Sequence, residues 1–490
     1  MEKENAAGLD EQVEFSETKQ ELFAQFAGKD AEWVEFKRKR LVRKIDRKLL
    51  PCLVTMYLLN FLDRSNLAQA RLGTLQQDLN MHGTDYNLAT SILFVGYLLM
   101  QLPSNLLLTR VRPSVYLATA MTLWGAVSAC QAALNSFAGL IVCRFLLGVV
   151  EAPFFPGAIM LMSSWYTRSE LAFRIAWFYA GSALANMFGG LLGAGVLGNL
   201  HNAHGISGWR WLFIIEGSIT VAVAIMSGFI LPNFPTACRW LTEEEAAFAQ
   251  WRLSVDVSEA DDDPTAVTVK QGLKLALKDY KLYMFVLLLH MSIVSQTFQY
   301  FFPSIVNTLG FDKITSLLLT APVWFLQFVV SLVTTYTSGK YHDRSIHYRD
   351  RSWHIILLML VSCIGNVIVT ATTTTGPRFF AMFLMPMGAV SAFTIILAWV
   401  ANTFPRPMVK RSASIAICNM IGNTASNYGS YMYPSSQSPR YLTGGTVNAI
   451  ICLLVASMAF IIKLVLWWKN KKLATAEAQA NAPIGFRFVL

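Results

Sequence analysis

Apolar residues recur along the chain in runs long enough to cross a lipid bilayer. A helix rises about 1.5 Å per residue and a bilayer's hydrocarbon core is about 30 Å thick, so roughly 20 apolar residues in succession span it. Such runs lie near 49–69, 88–109, 115–134, 138–162, 172–198 and 211–231, and again near 280–302, 316–338, 353–371, 379–401, 411–433 and 443–466. The pattern predicts an all-α membrane protein with twelve transmembrane helices in two pseudo-symmetric six-helix bundles. The first bundle is expected over 45–231 and the second over 280–468, with tails at 1–44 and 469–490 and a linker at 232–279.

Within the linker, Thr242 and Glu245 stand at capping-box spacing and start an amphipathic helix that runs through about Leu253. The acidic stretch Glu259 to Asp263 reads as a hinge, and Lys270 to Leu277 as a basic helix on the membrane surface.

Composition agrees with a polytopic protein. Of 490 residues, 54% are hydrophobic and 14% charged, with mean hydropathy +0.43, whereas a soluble chain carries about 25% charged residues. The net charge of +10 therefore speaks to topology and not to nucleic acid. Lys and Arg gather at Lys37 to Lys48, Arg110 and Arg112, Arg168, Lys270 to Lys281, Lys340 to Arg351, Arg406 to Arg411 and Lys469 to Lys472. These all fall on the side that holds both ends of the chain, which the positive-inside rule makes cytoplasmic. No early apolar h-region marks a cleavable signal. Seven scattered cysteines suggest neither a disulfide framework nor a metal site, and no cofactor is expected.

Two strips of small residues echo one another. Gly181, Ala185, Gly189 and Gly193 recur every fourth residue in the fifth run, as do Ser414, Cys418, Gly422, Ser426 and Ser430 in the eleventh. Small residues at that spacing let another helix approach closely, and equivalent positions in two halves suggest an internal repeat.

Ionised side chains inside these runs are the candidate chemistry, because a charge in hydrocarbon persists mainly where it faces a protein interior, a wet cavity or a counter-charge. Asp63 and Arg64 lie about 20 Å along the first run, and Arg144 and Glu151, two turns apart on one face, lie in the fourth. Arg64 and Arg144 are expected at one depth. Asp63 and Glu151 are candidate proton carriers, while Arg64 or Arg144 would receive a carboxylate, for which a planar guanidinium is well shaped. The alternative is a structural cluster of ion pairs joining the two helices.

The second half offers mainly neutral groups. Gln296, Gln299 and Tyr300 cluster in the seventh run, and Asn419, Asn423 and Asn427 form a strip in the eleventh that either lines a solute path or joins helices. Tyr97 places a phenol at mid-depth. His290 reads as a neutral, hydrogen-bonded core histidine, Lys463 as a side chain that snorkels to the surface, and Glu216 as a partner for a polar group at a span end.

The stretches Asn60-Phe61-Leu62-Asp63-Arg64-Ser65-Asn66-Leu67, Arg144 to Ala152 with Pro156-Gly157, Gly208-Trp209-Arg210-Trp211 and Gln296 to Ser304 resemble the major facilitator superfamily. The resemblance is to its anion:cation symporter family, in the fungal allantoate/nicotinate permease-like branch. It implies the major facilitator fold, alternating access and proton-coupled organic-anion transport, with protons on Asp63 and Glu151 and the substrate carboxylate at Arg64. A gating signature, Gly-x-x-x-Asp-Arg, survives as Gly339, Asp343 and Arg344 in the second half but is eroded after the second run to Thr109-Arg110-Val111-Arg112. The expectation is a monomeric symporter of the plasma membrane that imports a small carboxylate such as nicotinate or a related vitamin or ureide. Export of an acidic metabolite and a non-transporting nutrient sensor are the alternatives. No HExxH, nucleophile elbow or phosphate loop points to an enzyme.

Overall fold

A computed structural model describes residues 24, 26, 28–108, 111–235, 238, 240–258, 269–340, 350–404, 408–479 and 488–490. Helices account for every apolar run. The first span belongs to a 40-residue helix, Ala31–Ala70, which is about 60 Å long and so extends well beyond the hydrocarbon at its basic end. Asp85–Leu108 and Pro113–Cys130 form the second and third spans. The fourth and fifth are Phe137–Ser163 and Arg168–Asn199, and the sixth is Gly208–Ile230. In the second half, Tyr280–Asn307, Lys313–Lys340, Ser352–Ala371, Thr375–Thr403, Met408–Asn423 with Ala425–Gly429, and Leu442–Gln479 follow.

Among the described residues, eight of these are long and apolar enough to cross a membrane by length and composition alone. The first and eleventh are diluted by polar residues such as Asn60, Asp63, Arg64 and Asn419.

Three spans are broken at mid-depth. The fourth interrupts its helix at Ala152 and Pro153, where proline lacks the N–H that would continue the ladder. The seventh passes from Tyr280–Val294 into a 3₁₀ turn over Thr297–Phe301, and the eleventh breaks at Thr424. Irregular backbone is tolerated at membrane depth where it is buried in protein or lines a cavity. Glu151, Gln296, Tyr300 and Asn423 all lie at or beside these breaks.

Packing follows the small residues. A Cβ on Gly148 would overlap the Leu93 carbonyl oxygen, and one on Gly96 the carbonyl oxygen of Phe145, so spans two and four meet backbone to backbone. Gly148→Val should force them apart at a cost of about 3 kcal/mol and displace Arg144 and Glu151, which lie on that segment. Thermal unfolding of the purified variant checks this, a wild-type midpoint being the contrary result.

Span five packs its strip against span one at Gly181 and Gly189, while Gly422 in span eleven meets Leu289 and Ile293 of span seven. The halves join on the side away from the chain termini. There Asn87 Nδ2 donates to the Ser430 carbonyl at 2.6 Å, the Ser91 and Ser430 hydroxyls lie 2.5 Å apart, and Tyr86 donates to the Tyr300 carbonyl at 2.8 Å. Spans five and eight touch around Gly190, Leu317 and Thr320.

The linker is docked on the first half. Thr242 and Glu245 form the capping box, each backbone N–H donating at 3.2 Å to the other's side chain, and the helix Glu243–Ser258 follows. Burial works against ionisation of Glu245, but Lys44 at 2.6 Å and the cap outweigh it and hold the carboxyl below its ordinary range. Arg252, itself buried, donates to both oxygens of buried Glu170 at 3.0 Å. Removing Arg252 would leave buried Glu170 with only the partly exposed Arg38, at 3.1 Å, as counter-charge. Arg252→Ala is therefore expected to destabilise the first half by about 3 kcal/mol, read as a lower unfolding temperature; an unchanged one would contradict this docking. The second linker helix, Val269–Lys278, packs on the base of span eleven as well as exposing leucines. The expected hinge over 259–263 lies outside the described residues, as do Asp343 and Arg344 and the surroundings of Gly339.

Candidate functional site

Successive residues on a helix point about 100° apart, so Asp63 and Arg64 cannot face the same way. Arg64 turns towards span four, where its Nε donates to Glu151 Oε2 at 2.5 Å. Its guanidinium also lies 4.9 Å from the centre of the Tyr97 ring and 5.8 Å from that of Phe61. Glu151 is completely buried, and its Oε1 has no hydrogen-bond partner among the described residues.

Asp63 turns the other way, into the bundle, and accepts from Ser128 Oγ of span three at 2.7 Å and from Thr220 Oγ1 of span six at 3.0 Å. Glu151 thus stands against the cavity-wall arginine, while Asp63 points from another face of span one. Arg144 shares the buried face of span four with Glu151, yet Glu151 pairs with Arg64 instead. Arg144 Nε and Nη2 are buried with no hydrogen-bond partner among the described residues.

A central cavity holds about 710 Å³ of empty space, its open mouth included. Arg64, Tyr57, Tyr97 and Tyr179 line it from the first half; Gln296, Gln299, Tyr300, Asn419, Asn423 and Ser426 line it from the second. One wall therefore carries a cation flanked by phenols, and the facing wall carries amides and hydroxyls. Arg144 lies in an adjoining pocket of about 290 Å³ that it shares with Arg64, Tyr86, Thr90 and Tyr300. The asparagine strip splits at the break in span eleven: Asn419 and Asn423 line the cavity, while Asn427 beyond the break does not.

Aromatic residues complete the cavity without having been marked by the sequence. Tyr179 of span five meets Phe393 of span ten edge to face at 5.6 Å, and Phe155 lies 5.4 Å from Tyr179. Aromatic rings are common in apolar runs, and nothing in the sequence separates these from rings that pack against lipid. Ser128 and Thr220 were likewise silent, because a hydroxyl on a membrane helix usually bonds to its own backbone.

Both ring nitrogens of His290 have partners: Nδ1 donates to the Ile421 carbonyl at 3.0 Å, and Nε2 lies 2.5 Å from the Tyr428 hydroxyl. Lys463 forms an ion pair with Asp350 at 2.5 Å. Glu216 differs from expectation, as it is buried and neither carboxyl oxygen has a hydrogen-bond partner among the described residues.

Two bundles of membrane helices around a central polar cavity define a fold shared with known proteins, and the model of the Major Facilitator Superfamily matches residues 53–430. The chain belongs to this superfamily. It is 33% identical to the MFS-type transporter efuF of Hormonema carpetanum over 83% of this chain and 81% of that one. Identity is also 33% to the MFS-type transporter cnsO of Penicillium expansum, over 89% and 84% of the two chains. The major facilitator-type transporter hxnP of Emericella nidulans is 32% identical over 82% and 81%. Among solved structures, a bacterial homologue of the human lysosomal transporter Spinster, inward-facing and unoccupied, superposes with a TM-score of 0.61 at 13% identity, covering 84% of this chain and 96% of that one. The protein is a multi-pass membrane transporter of the major facilitator fold, and not an enzyme.

Proposed function

We propose that this facilitator imports a small organic carboxylate together with protons, as a monomer in the plasma membrane with both termini in the cytoplasm. The substrate class in view is nicotinate or a related vitamin or ureide. One observation carries the reading: the only membrane-embedded cation lining the central cavity, among the described residues, is Arg64, and its counter-ion is the buried Glu151.

A carboxylate entering the cavity competes with Glu151 for the same guanidinium. Charge-assisted, often bidentate bonds favour an arginine–carboxylate pair in a dry site. Once the substrate holds Arg64, Glu151 loses its counter-charge, and a buried carboxylate without one takes up a proton. Substrate and proton are then bound together, and two neutralised charges cross where one would be costly. Gln296, Tyr300, Asn419 and Asn423 fit the role of orienting the rest of the solute, with Tyr97 stacked on Arg64. Arg144, one pocket further, adds positive potential that attracts an anion. Gly339, Asp343 and Arg344 are assigned the gating role.

Proteoliposomes with an imposed proton gradient test the reading. Labelled nicotinate, in competition with a panel of small carboxylates and their amides, should accumulate when the medium is acid outside. The carboxylates should compete and the amides should not. Accumulation without a gradient, or equal competition by amides, would contradict it. Outward movement of an acidic metabolite under the same gradient would favour export.

A further inference from the structure

The carboxyl group of Asp63 opens a path that the cavity does not use. Spans one, three and six converge behind it and contribute their polar residues in two layers. Asp63, Ser128 and Thr220 form the first layer, in which both hydroxyls donate to the Asp63 carboxylate. Asn66, Gln131 and Glu216 stand three or four residues further along the same three helices, about one turn nearer the side away from the termini.

The second layer is buried and unsatisfied. Asn66 and Gln131 are 0% exposed and Glu216 is 1% exposed. Both polar atoms of each of the three side chains lack a hydrogen-bond partner among the described residues. An unpaired buried amide or carboxyl costs about 1–3 kcal/mol or more, so six such atoms together demand partners that move. Ordered water is the usual one. Asp63 and Asn66 of span one face Glu216 without reaching hydrogen-bond geometry. Behind Asp63, span four contributes Arg144 and Glu151; the groups from span three are the neutral Ser128 and Gln131. Among the described residues no cation stands against Glu216, and an ionised carboxylate there would be unsupported. Gln131 opens the 3₁₀ turn Gln131–Ala133, four residues before exposed Asn135, which Arg210 ties back to span six at 2.9 Å. Gln131 therefore lies four residues from the exposed rim of the bundle.

We propose that Glu216 is a proton-carrying site joined to Asp63 by a hydrated column through Asn66, Gln131, Ser128 and Thr220. Protons then reach the coupling acids through the interior of the first bundle while the substrate occupies the cavity. No bond is made or broken beyond the transfer of a proton from one carboxyl oxygen to another through water. The inference rests on the proton-coupled reading but is tested apart from it.

Infrared spectroscopy of the purified full-length protein reads the carbonyl stretch of protonated carboxyl groups without any substrate. Glu216→Gln should remove one such band, and transfer of the wild type to D₂O should shift that band promptly, as a hydrated group exchanges. Gln131→Leu, which narrows the column and removes no acid, should slow the deuterium shift at least tenfold. In proteoliposomes Glu216→Gln should retain substrate exchange while gradient-driven accumulation falls tenfold or more. Loss of no band in Glu216→Gln, a band insensitive to D₂O, or a shift unaltered by Gln131→Leu would overturn the proposal. Should the wild type show no proton-driven transport, the functional reading fails, and the infrared result still decides whether Glu216 holds an exchangeable proton.

Discussion

Arg64→Ala is expected to lower affinity for the carboxylate roughly a hundredfold, corresponding to about 3 kcal/mol, the cost of truncating one partner of a buried, hydrogen-bonded charge pair. Arg64 is the cation on the cavity wall, and Arg144 sits in an adjoining pocket that Arg64 and Tyr300 also line. The substitution has a second consequence, since Glu151 would be left buried with no counter-charge, and instability alone would also abolish binding. The double variant Arg64→Ala with Glu151→Gln separates the two effects: neutralising the stranded acid should restore the unfolding temperature and leave the affinity low. Equilibrium binding of labelled nicotinate to both variants makes the measurement. Wild-type affinity in either would remove Arg64 from the substrate site.

Glu151→Gln is expected to produce the opposite separation. The amide keeps the size of the side chain and one oxygen that accepts from Arg64 Nε, but it neither competes as an anion nor takes up a proton. Substrate affinity should rise or hold, exchange of substrate across the membrane should persist, and accumulation driven by a proton gradient should fall at least tenfold. The affinity at acid and neutral pH should also converge in the variant. Undiminished gradient-driven accumulation would take Glu151 out of the coupling role.

Much of this arrangement was legible in the chain, and for a physical reason. A helix that crosses hydrocarbon must satisfy its own backbone and carry apolar side chains, so hydropathy marks the spans, and the few ionised groups among them stand out. That is why Arg64, Glu151, Tyr97, Gln296, Tyr300, Asn419 and Asn423 could be singled out before any coordinates, and all but Glu151 line the cavity. Partnership was not legible. Asp63 and Arg64 are adjacent in sequence and suggest a pair, yet the 100° step between them sends one to Ser128 and Thr220 and the other to Glu151. The partner of each depends on which helices pack against which face, and that is fixed by contacts such as Gly148 on Leu93, far from the charges. Tyr179 and Phe393 escaped, and Glu216 was marked without its surroundings, for a related reason: their significance lies in what surrounds them and not in their residue type.

The exchange of partners at Arg64 is the centre of this account, and proton uptake on substrate binding tests it most directly. Purified protein in weakly buffered detergent solution, near neutral pH with an indicator dye, is mixed with nicotinate or the best competitor among the small carboxylates. The account predicts uptake of about one proton per bound anion in the wild type, as Glu151 is released, and none in Glu151→Gln, although that variant still binds. Binding without proton uptake in the wild type, or the same uptake in Glu151→Gln, would contradict it.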